Sequence, residues 1–433
     1  MRSHTGPSAR QDEAASGLRP TRAPVHASSG TRLGTARPRQ EGPTDLRLVP
    51  PALAAWGTAA LLLDASPAWV TRIVIGCLAA VGLLPLARRH RAASWPRASA
   101  AALLLCVAVA AASAGLHGAD LRRGPVPGLA RKYATVTAEV ELTSDPRLTR
   151  PKVRGDHMAP TAVLIDADVR RVQEAGGTTV TTRTPVLVIV DVDVDVDAAR
   201  SGRIAGARVR SPWLGLLPST RLRVSARLAP ATMGGDRVAA VLRVRDRREP
   251  DVVGEPSRPQ RLAGRLRAGL REATDGLPAD PRALLPGLVV GDTSRITPEL
   301  EEAFKETDLT HTLAVSGANF TILLALLLGP PGLAQHVERR GLAPWLGISL
   351  RGTAVLGGVL SLGFVIVCRP DPSVVRAAAC GAVALLALAT GRRRSMIPAL
   401  ATAVLLLVLY DPWLARSYGF LLSVVATGAL LTL

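Results

Sequence analysis

The stretch Ser99-Ala-Ala-Ala-Leu-Leu-Leu-Cys-Val-Ala-Val-Ala-Ala-Ala-Ser-Ala-Gly-Leu-His-Gly118, followed a short way on by Thr135-Val-Thr-Ala-Glu-Val-Glu141, decides how the chain is read. The first segment is apolar all round and close to the ~20 residues that cross a bilayer core. The second alternates polar and apolar, the period of a half-buried strand. Two solvents are implied within one chain. On the N-terminal side, residues 48–64 and 67–87 are further apolar runs, and Arg88-Arg89-His90-Arg91 is a basic loop before the third. Three apolar runs in succession, split by arginine clusters, favour a membrane over a buried soluble core. On the C-terminal side the alternation continues over Val186 to Asp197, Thr220 to Leu228 and Arg237 to Arg247. Turn signals at Gly124-Pro125, Gly176-Gly177 and Gly234-Gly235 punctuate it. Five or six short strands in residues 119–255 fit a small antiparallel barrel or a sandwich.

Composition averages these environments. Among 433 residues, Lys+Arg is 53 against Asp+Glu 34, a formal charge of +19, while 48% of residues are hydrophobic. The only lysines are Lys132, Lys152 and Lys305, so the basicity is arginine and reflects in part a GC-rich coding bias. Aromatics at 3% argue against a binder that works mainly by base stacking. Cys77, Cys106, Cys368 and Cys380 have no zinc-ligand spacing, and the last two read as packing residues. Residues 1–47 are rich in Arg, Pro, Ser and Gly and too poor in large apolar side chains to form a core, so they read as a disordered basic cytoplasmic arm. They carry no signal-peptide pattern.

Residues 256–310 read as an amphipathic connector. Leu262 to Leu270, interleaved with Arg261, Arg265, Arg267 and Arg271, suits a helix on a membrane surface. Ala283 to Gly291 is apolar but too short to span. Thr297 is an N-cap, Pro298 opens a helix, and Glu299, Glu301 and Glu302 sit at its positive end. Apolar runs at 312–329, 345–367, 373–390, 395–411 and 416–433 make residues 311–433 a second transmembrane domain. The sequence stops inside the last run with no polar flank, which reads as a truncated domain. With the arm inside, the three spans of 48–118 put the β-domain outside. Glu338-Arg339-Arg340 and Gly391-Arg392-Arg393-Arg394 then fall on the cytoplasmic face, as the positive-inside bias requires.

Polar residues concentrate at Thr310-His311-Thr312-Leu313-Ala314-Val315-Ser316-Gly317-Ala318-Asn319, the mouth of an apolar run. They read equally as a pathway through the membrane or as interhelical hydrogen bonds between small residues. Arg221, Arg223 and Arg227 share one strand face, and Arg243, Arg245 and Arg247 repeat the pattern. This stripe is either a phosphate-neutralising surface or a plain solvated face. Asp191, Asp193, Asp195 and Asp197 lie on one strand face and read as a charge-protected edge strand rather than a calcium site. Arg376 and Arg416 near span ends read as snorkelling side chains, with a pathway role for Arg376 as the rival reading. His311 and Ser316 as base and nucleophile of a membrane enzyme lack a third orienting group.

The stretch from Gly291-Asp292 through Ile296-Thr297-Pro298-Glu299-Leu300, Ala303-Phe304 and Thr307-Asp308-Leu309 to His311, Ser316, Gly317 and Asn319 resembles the signature of the ComEC-type competence family. Pro372-Ser373-Val374-Val375-Arg376-Ala377 and Tyr418-Gly419-Phe420-Leu421-Leu422-Ser423 also match it, and Asp308 and Thr312 depart from it. The resemblance implies a polytopic α-helical inner-membrane protein with an inserted, OB-like extracytoplasmic β-domain, importing one strand of transforming DNA. It implies pathway roles for His311, Ser316, Gly317, Asn319, Arg376 and Ser423, and DNA contact by Arg221, Arg223, Arg227, Arg243 and Arg245. Implied partners are single-stranded DNA, membrane lipids, a DNA receptor, a cytoplasmic motor protein and a second copy of the chain. Many members add a metallo-β-lactamase-like domain. Here the seven histidines, at 4, 26, 90, 117, 157, 311 and 336, form no His-x-His-x-Asp-His cluster, so no nuclease, metal or cofactor is expected. The rival classes are a small-molecule or ion transporter, which predicts inverted repeats that are not seen, and a non-functional remnant.

Overall fold

The computed structural model describes residues 46–84, 94–149, 153–154, 157–158, 162–174, 177–192, 211–231, 237–244, 249–309, 317–328, 342–370, 372–389 and 396–432. Three apolar segments form α1 (Val49–Leu62), α2 (Pro67–Leu83) and α3 (Ser94–Arg122). Prolines stand in the first turns of α1 and α2, where the missing N–H costs nothing. α3 packs on both α1 and α2, and small residues face these contacts and those with the later helices: Ala55, Ala59, Ala110, Ala111 and Ala114 are fully buried. A short helix, α4 (Val126–Arg131), then leads into the sheet.

The β-region comprises β1 (Thr135–Leu142), β2 (Arg147–Leu148), β3 (Val153–Arg154), β4 (His157–Met158), β5 (Ala162–Glu174), β6 (Thr179–Asp191), β7 (Arg221–Pro230), β8 (Ala240–Val244) and β9 (Asp251–Gly254). β1, β5 and β6 form an antiparallel meander; β8 pairs parallel with β6 and antiparallel with β7, and β7 returns to pair with β1. The ring β1-β5-β6-β8-β7 is therefore closed. Closure decides between the two expectations: this is a barrel, with one parallel pair rather than antiparallel throughout. Alternation supplies its core, with Val136, Ala138, Val140 and Leu142 of β1 facing Leu222, Val224, Ala226 and Leu228 of β7. Val126 and Ala130 of α4 and Trp213 of the 3-10 helix Pro212–Gly215 join that core.

Two strand readings change. β5 was not among the alternating stretches, because a bulge between Val169 and Arg171 breaks its period: Val169 and Val172 are both buried, three residues apart. Of the acidic row only Asp191 is described, and it belongs to an interior strand. β6 is flanked by β5 and β8, and Asp191 is its last residue, so the expected edge strand is corrected; Asp193, Asp195 and Asp197 lie outside the described residues.

After the barrel come α5 (Arg258–Ala273), α6 (Ala279–Val290) and α7 (Pro298–Glu306). The Thr297 hydroxyl accepts from the Leu300 N–H, the expected N-cap. The apolar runs then form α8 (Gly317–Leu328), α9 (Leu342–Trp345), α10 (Leu350–Cys368), α11 (Pro372–Ala389), α12 (Met396–Tyr410) and α13 (Tyr418–Thr432). α8 and α11 approach closely because residue 381 is glycine: a Cβ there would lie 2.4 Å from the Phe320 ring. Among the described residues, two helices are long and apolar enough to cross a membrane, residues 98–122 and 350–368, with mean hydropathy 2.1 and 1.9. Only 22% and 17% of them is buried in protein, unlike the core helix of a soluble fold.

Candidate functional site

The densest polar cluster joins the barrel, the connector and the helices after it. Its centre is Gly291-Asp292. Gly291 has φ +71, and its N–H and that of Asp292 close α6 onto the carbonyls of Gly287 and Pro286. That turn drops Asp292 into the protein, where it is 2% exposed. Its carboxylate accepts from Arg271 Nη1 and from the Ser294 N–H at 3.2 Å, and Arg267 Nη2 lies 3.6 Å away. Burial alone would push this carboxyl up; the Ser294 hydrogen bond and the Arg267 and Arg271 guanidiniums outweigh it and hold it below the ordinary carboxylate range.

Arg267, 8% exposed, donates Nη1 to the carbonyls of Val290 and Val367 at 3.2 and 3.1 Å, satisfying the ends of α6 and α10 together. Its Nη2 also lies 3.6 Å from Asp145, which follows β1 in the barrel. Asp145 is held more tightly by Arg369, which grips it in bidentate fashion at 2.6 and 2.7 Å and also donates to Gln260 Oε1. Arg369 has φ +69 and ψ 157, a region that side-chain-bearing residues avoid. Every buried polar side-chain atom described has a partner. The helix expected on the membrane surface thus turns Arg267 and Arg271 into protein and leaves Leu262 and Leu266 each 54% exposed.

The motif residues are distributed around this joint. Asn319 Nδ2 donates to the Leu288 carbonyl at 2.6 Å, capping α6 from the first turn of α8. Gly317 opens α8. Arg376 lies half-buried in the first turns of α11, with no carboxylate paired to it among the described residues. The half-buried Ser423 is in α13, its carbonyl accepting from Thr427 at 2.8 Å. His311, Ser316 and Arg245 lie outside the described residues.

Beside the joint, a cavity of about 600 Å³ is lined by Arg237 from the barrel, Pro370 and Val375 around the start of α11, and Asp411, Arg416 and Ser417 at the ends of α12 and α13. Arg237 pairs with Asp411 at 3.2 Å. Arg416, expected to snorkel, instead pairs with Asp64 at 2.5 Å and donates to the Ala60 carbonyl at 2.7 Å, tying the last helix to α1.

On the barrel, Arg221, Arg223, Arg227 and Arg243 are all exposed on its outer face, as the alternation requires. They are not equivalent. Glu139 of β1 pairs with Arg223 on one side, at 3.3 Å, and Arg171 on the other, at 3.0 Å. Glu141 does the same with Arg221 and Arg170, at 3.4 and 3.1 Å. Arg227 donates Nε to the Tyr133 carbonyl at 3.3 Å. Missing from the sequence reading were Asp145 and Arg369; Arg267 was read as an arginine of a membrane-surface helix and Asp292 only as part of a motif, and neither was read as a member of a buried ion cluster.

A closed barrel is thus joined by an arginine–carboxylate cluster to a set of apolar helices, two of which are, among the described residues, long and apolar enough to cross a membrane. Residues 288–433 match the family described as competence protein, the ComEC-type family whose motifs this segment resembles. No curated protein and no solved structure matches the chain. The family is membrane-associated and channel-type, and its domain supports a role in competence DNA uptake.

Proposed function

We propose that this chain is a multi-pass inner-membrane channel component that passes one strand of transforming DNA inward, with the N-terminus cytoplasmic and the barrel outside. The carrying observation is the competence domain over 288–433, which begins at the end of α6 where Arg267 and Asn319 hold the helix. The low burial of residues 98–122 and 350–368 supports lipid contact along both helices. Shorter apolar helices around them supply the remaining spans.

The barrel is OB-like in this reading. In order of its five ring strands it runs first, second, third, fifth, fourth and back to first, with third and fifth parallel, and OB folds are five-stranded Greek-key barrels that bind oligonucleotides. Its outer arginines Arg221, Arg223, Arg227 and Arg243, together with Arg245, meet the strand's phosphates without reading sequence. The strand then passes residues His311, Ser316, Gly317, Asn319, Arg376 and Ser423. Arg376 is the half-buried cation of this set, with no carboxylate paired to it among the described residues, which suits transient contact with a phosphodiester. The chain has no Walker A sequence, so the driving force comes from a cytoplasmic motor partner, and a surface receptor delivers the DNA. In this reading a second copy of the chain completes the walls of the path, and lipid covers the outer faces of the helices.

The test is uptake. A strain lacking this protein, given fluorescent transforming DNA, should bind it at the surface and fail to accumulate nuclease-protected label inside. Normal internal label in that strain refutes the proposal.

A further inference from the structure

The arginines of the barrel face divide sharply by partner. Arg221 and Arg223 are neutralised by Glu141 and Glu139, each of which also carries a second arginine from β5. Arg227 and Arg243 sit directly opposite each other on β7 and β8. Neither is paired with a carboxylate among the described residues. In the same row the partner of Arg227 on β1 is Thr135, and that of Arg243 on β6 is Ile189. The nearest acid on β1, Glu139, is four residues further along, about 13 Å at the rise of a strand. Like charges facing each other across two strands are destabilising. Tyr133 lies beside this pair. Its ring is 5.6 Å from the Arg227 guanidinium, the residue is 52% exposed, and its backbone is left-handed, with φ +51. Trp213, the other large aromatic of this region, is buried in the barrel core. Among the described residues, one exposed ring therefore stands next to two cations that pair with no carboxylate.

We infer that Tyr133, Arg227 and Arg243 form a nucleotide subsite for single-stranded DNA. The base stacks on the exposed tyrosine ring, and the adjoining phosphate bridges the two guanidiniums and relieves their repulsion. Stacking on an aromatic face tolerates any base, so the subsite is sequence-neutral. This rests on the DNA-uptake reading and narrows it from a broad arginine stripe to one end of the barrel face.

The test uses the full chain in lipid nanodiscs. Fluorescence anisotropy follows binding of a labelled oligothymidylate and of an abasic strand of the same length. Tyr133→Leu should weaken the oligothymidylate about tenfold and leave the abasic strand unchanged, the loss of one stacked base. Arg227→Gln with Arg243→Gln should weaken both strands and reduce the steepness of the log–log salt dependence by about 0.7 for the lost phosphate. Arg183→Gln, whose charge is already paired with Asp168 at 3.1 Å on another part of the barrel, should change affinity less than about twofold. Equal losses on both strands for Tyr133→Leu overturn the stacking role. A loss for Arg183→Gln as large as for the pair overturns the subsite as a whole. Wild-type protein that binds neither strand overturns the barrel's DNA role and this subsite with it; wild-type binding that none of the variants alters overturns the subsite alone.

Discussion

Arg369 offers a test in which the usual order of two substitutions is reversed. Its backbone, at φ +69 and ψ 157, lies where only glycine is unstrained, at a cost of about 1–3 kcal/mol. The side chain offsets that cost through its bidentate grip on Asp145, at 2.6 and 2.7 Å, and its bond to Gln260. The Arg369 side chain is 14% exposed and Asp145 32%, so solvent screens the pair in part. Asp145 also keeps Arg267 at 3.6 Å when Arg369 is removed. Loss of the side chain should therefore cost about 1–3 kcal/mol, the range for hydrogen bonds to charged groups. Arg369→Ala pays this and keeps the strain. Arg369→Gly loses the same contacts but releases the strain, less about 0.5–1 kcal/mol for the greater freedom of glycine when unfolded. The glycine variant should be the more stable of the two by about 1 kcal/mol. Denaturant unfolding of the purified protein in mixed micelles, followed by tryptophan fluorescence, gives both midpoints. A glycine variant no more stable than the alanine variant refutes the reasoning, because the backbone would then carry no strain for glycine to release.

The other perturbations act on single contacts. Asp292→Asn leaves Arg267 and Arg271 short of a buried counter-charge and should cost about 3 kcal/mol in the same unfolding assay. Because the Asp292 carboxyl is held below its ordinary range, its stabilisation is present above the unfolded-state value of about 4 and is lost as pH falls through the depressed native value. Wild-type stability should therefore show no loss from this group between pH 5 and 8, and Asp292→Asn should blunt the fall below about pH 4. Gly381→Val sets a Cβ against the Phe320 ring and should cost about 1–3 kcal/mol, partly restored by Phe320→Leu in the same chain. Asn319→Asp cannot donate to the Leu288 carbonyl and places a negative charge at the negative end of α6, so thermal unfolding should find it less stable than Asn319→Ala.

The helices were legible because length and unbroken apolarity are local properties; the five apolar runs after residue 311 correspond to α8 and α10 to α13 with α9 between them. Four barrel strands were legible from alternation, and β5 was hidden by the bulge that puts Val169 and Val172 out of period. Closure was not legible, since the pairing of β6 with β8 and of β7 with β1 depends on register across the whole domain. The joint was hidden for a different reason. Asp145, Arg267, Asp292 and Arg369 stand far apart in sequence, and each looks alone like a solvated charge. On the amphipathic helix, periodicity gave the face that Arg267 and Arg271 share and could not say whether water or carboxylate met it.

The same distinction separates two kinds of residue within the competence motifs. Gly291-Asp292 begins the matched segment, yet its geometry is that of a helix stop feeding a buried ion cluster, and Asn319 completes the same helix end. Substitutions there should lower stability, and uptake should fall with it. Arg376 differs: it is half-buried with no carboxylate paired to it among the described residues, and an unpaired buried cation opposes folding. Arg376→Gln should therefore leave the unfolding midpoint unchanged or raise it, while nuclease-protected uptake falls. A drop in stability with uptake intact would reverse the assignment, making Arg376 part of the scaffold and leaving the pathway without its unneutralised cation.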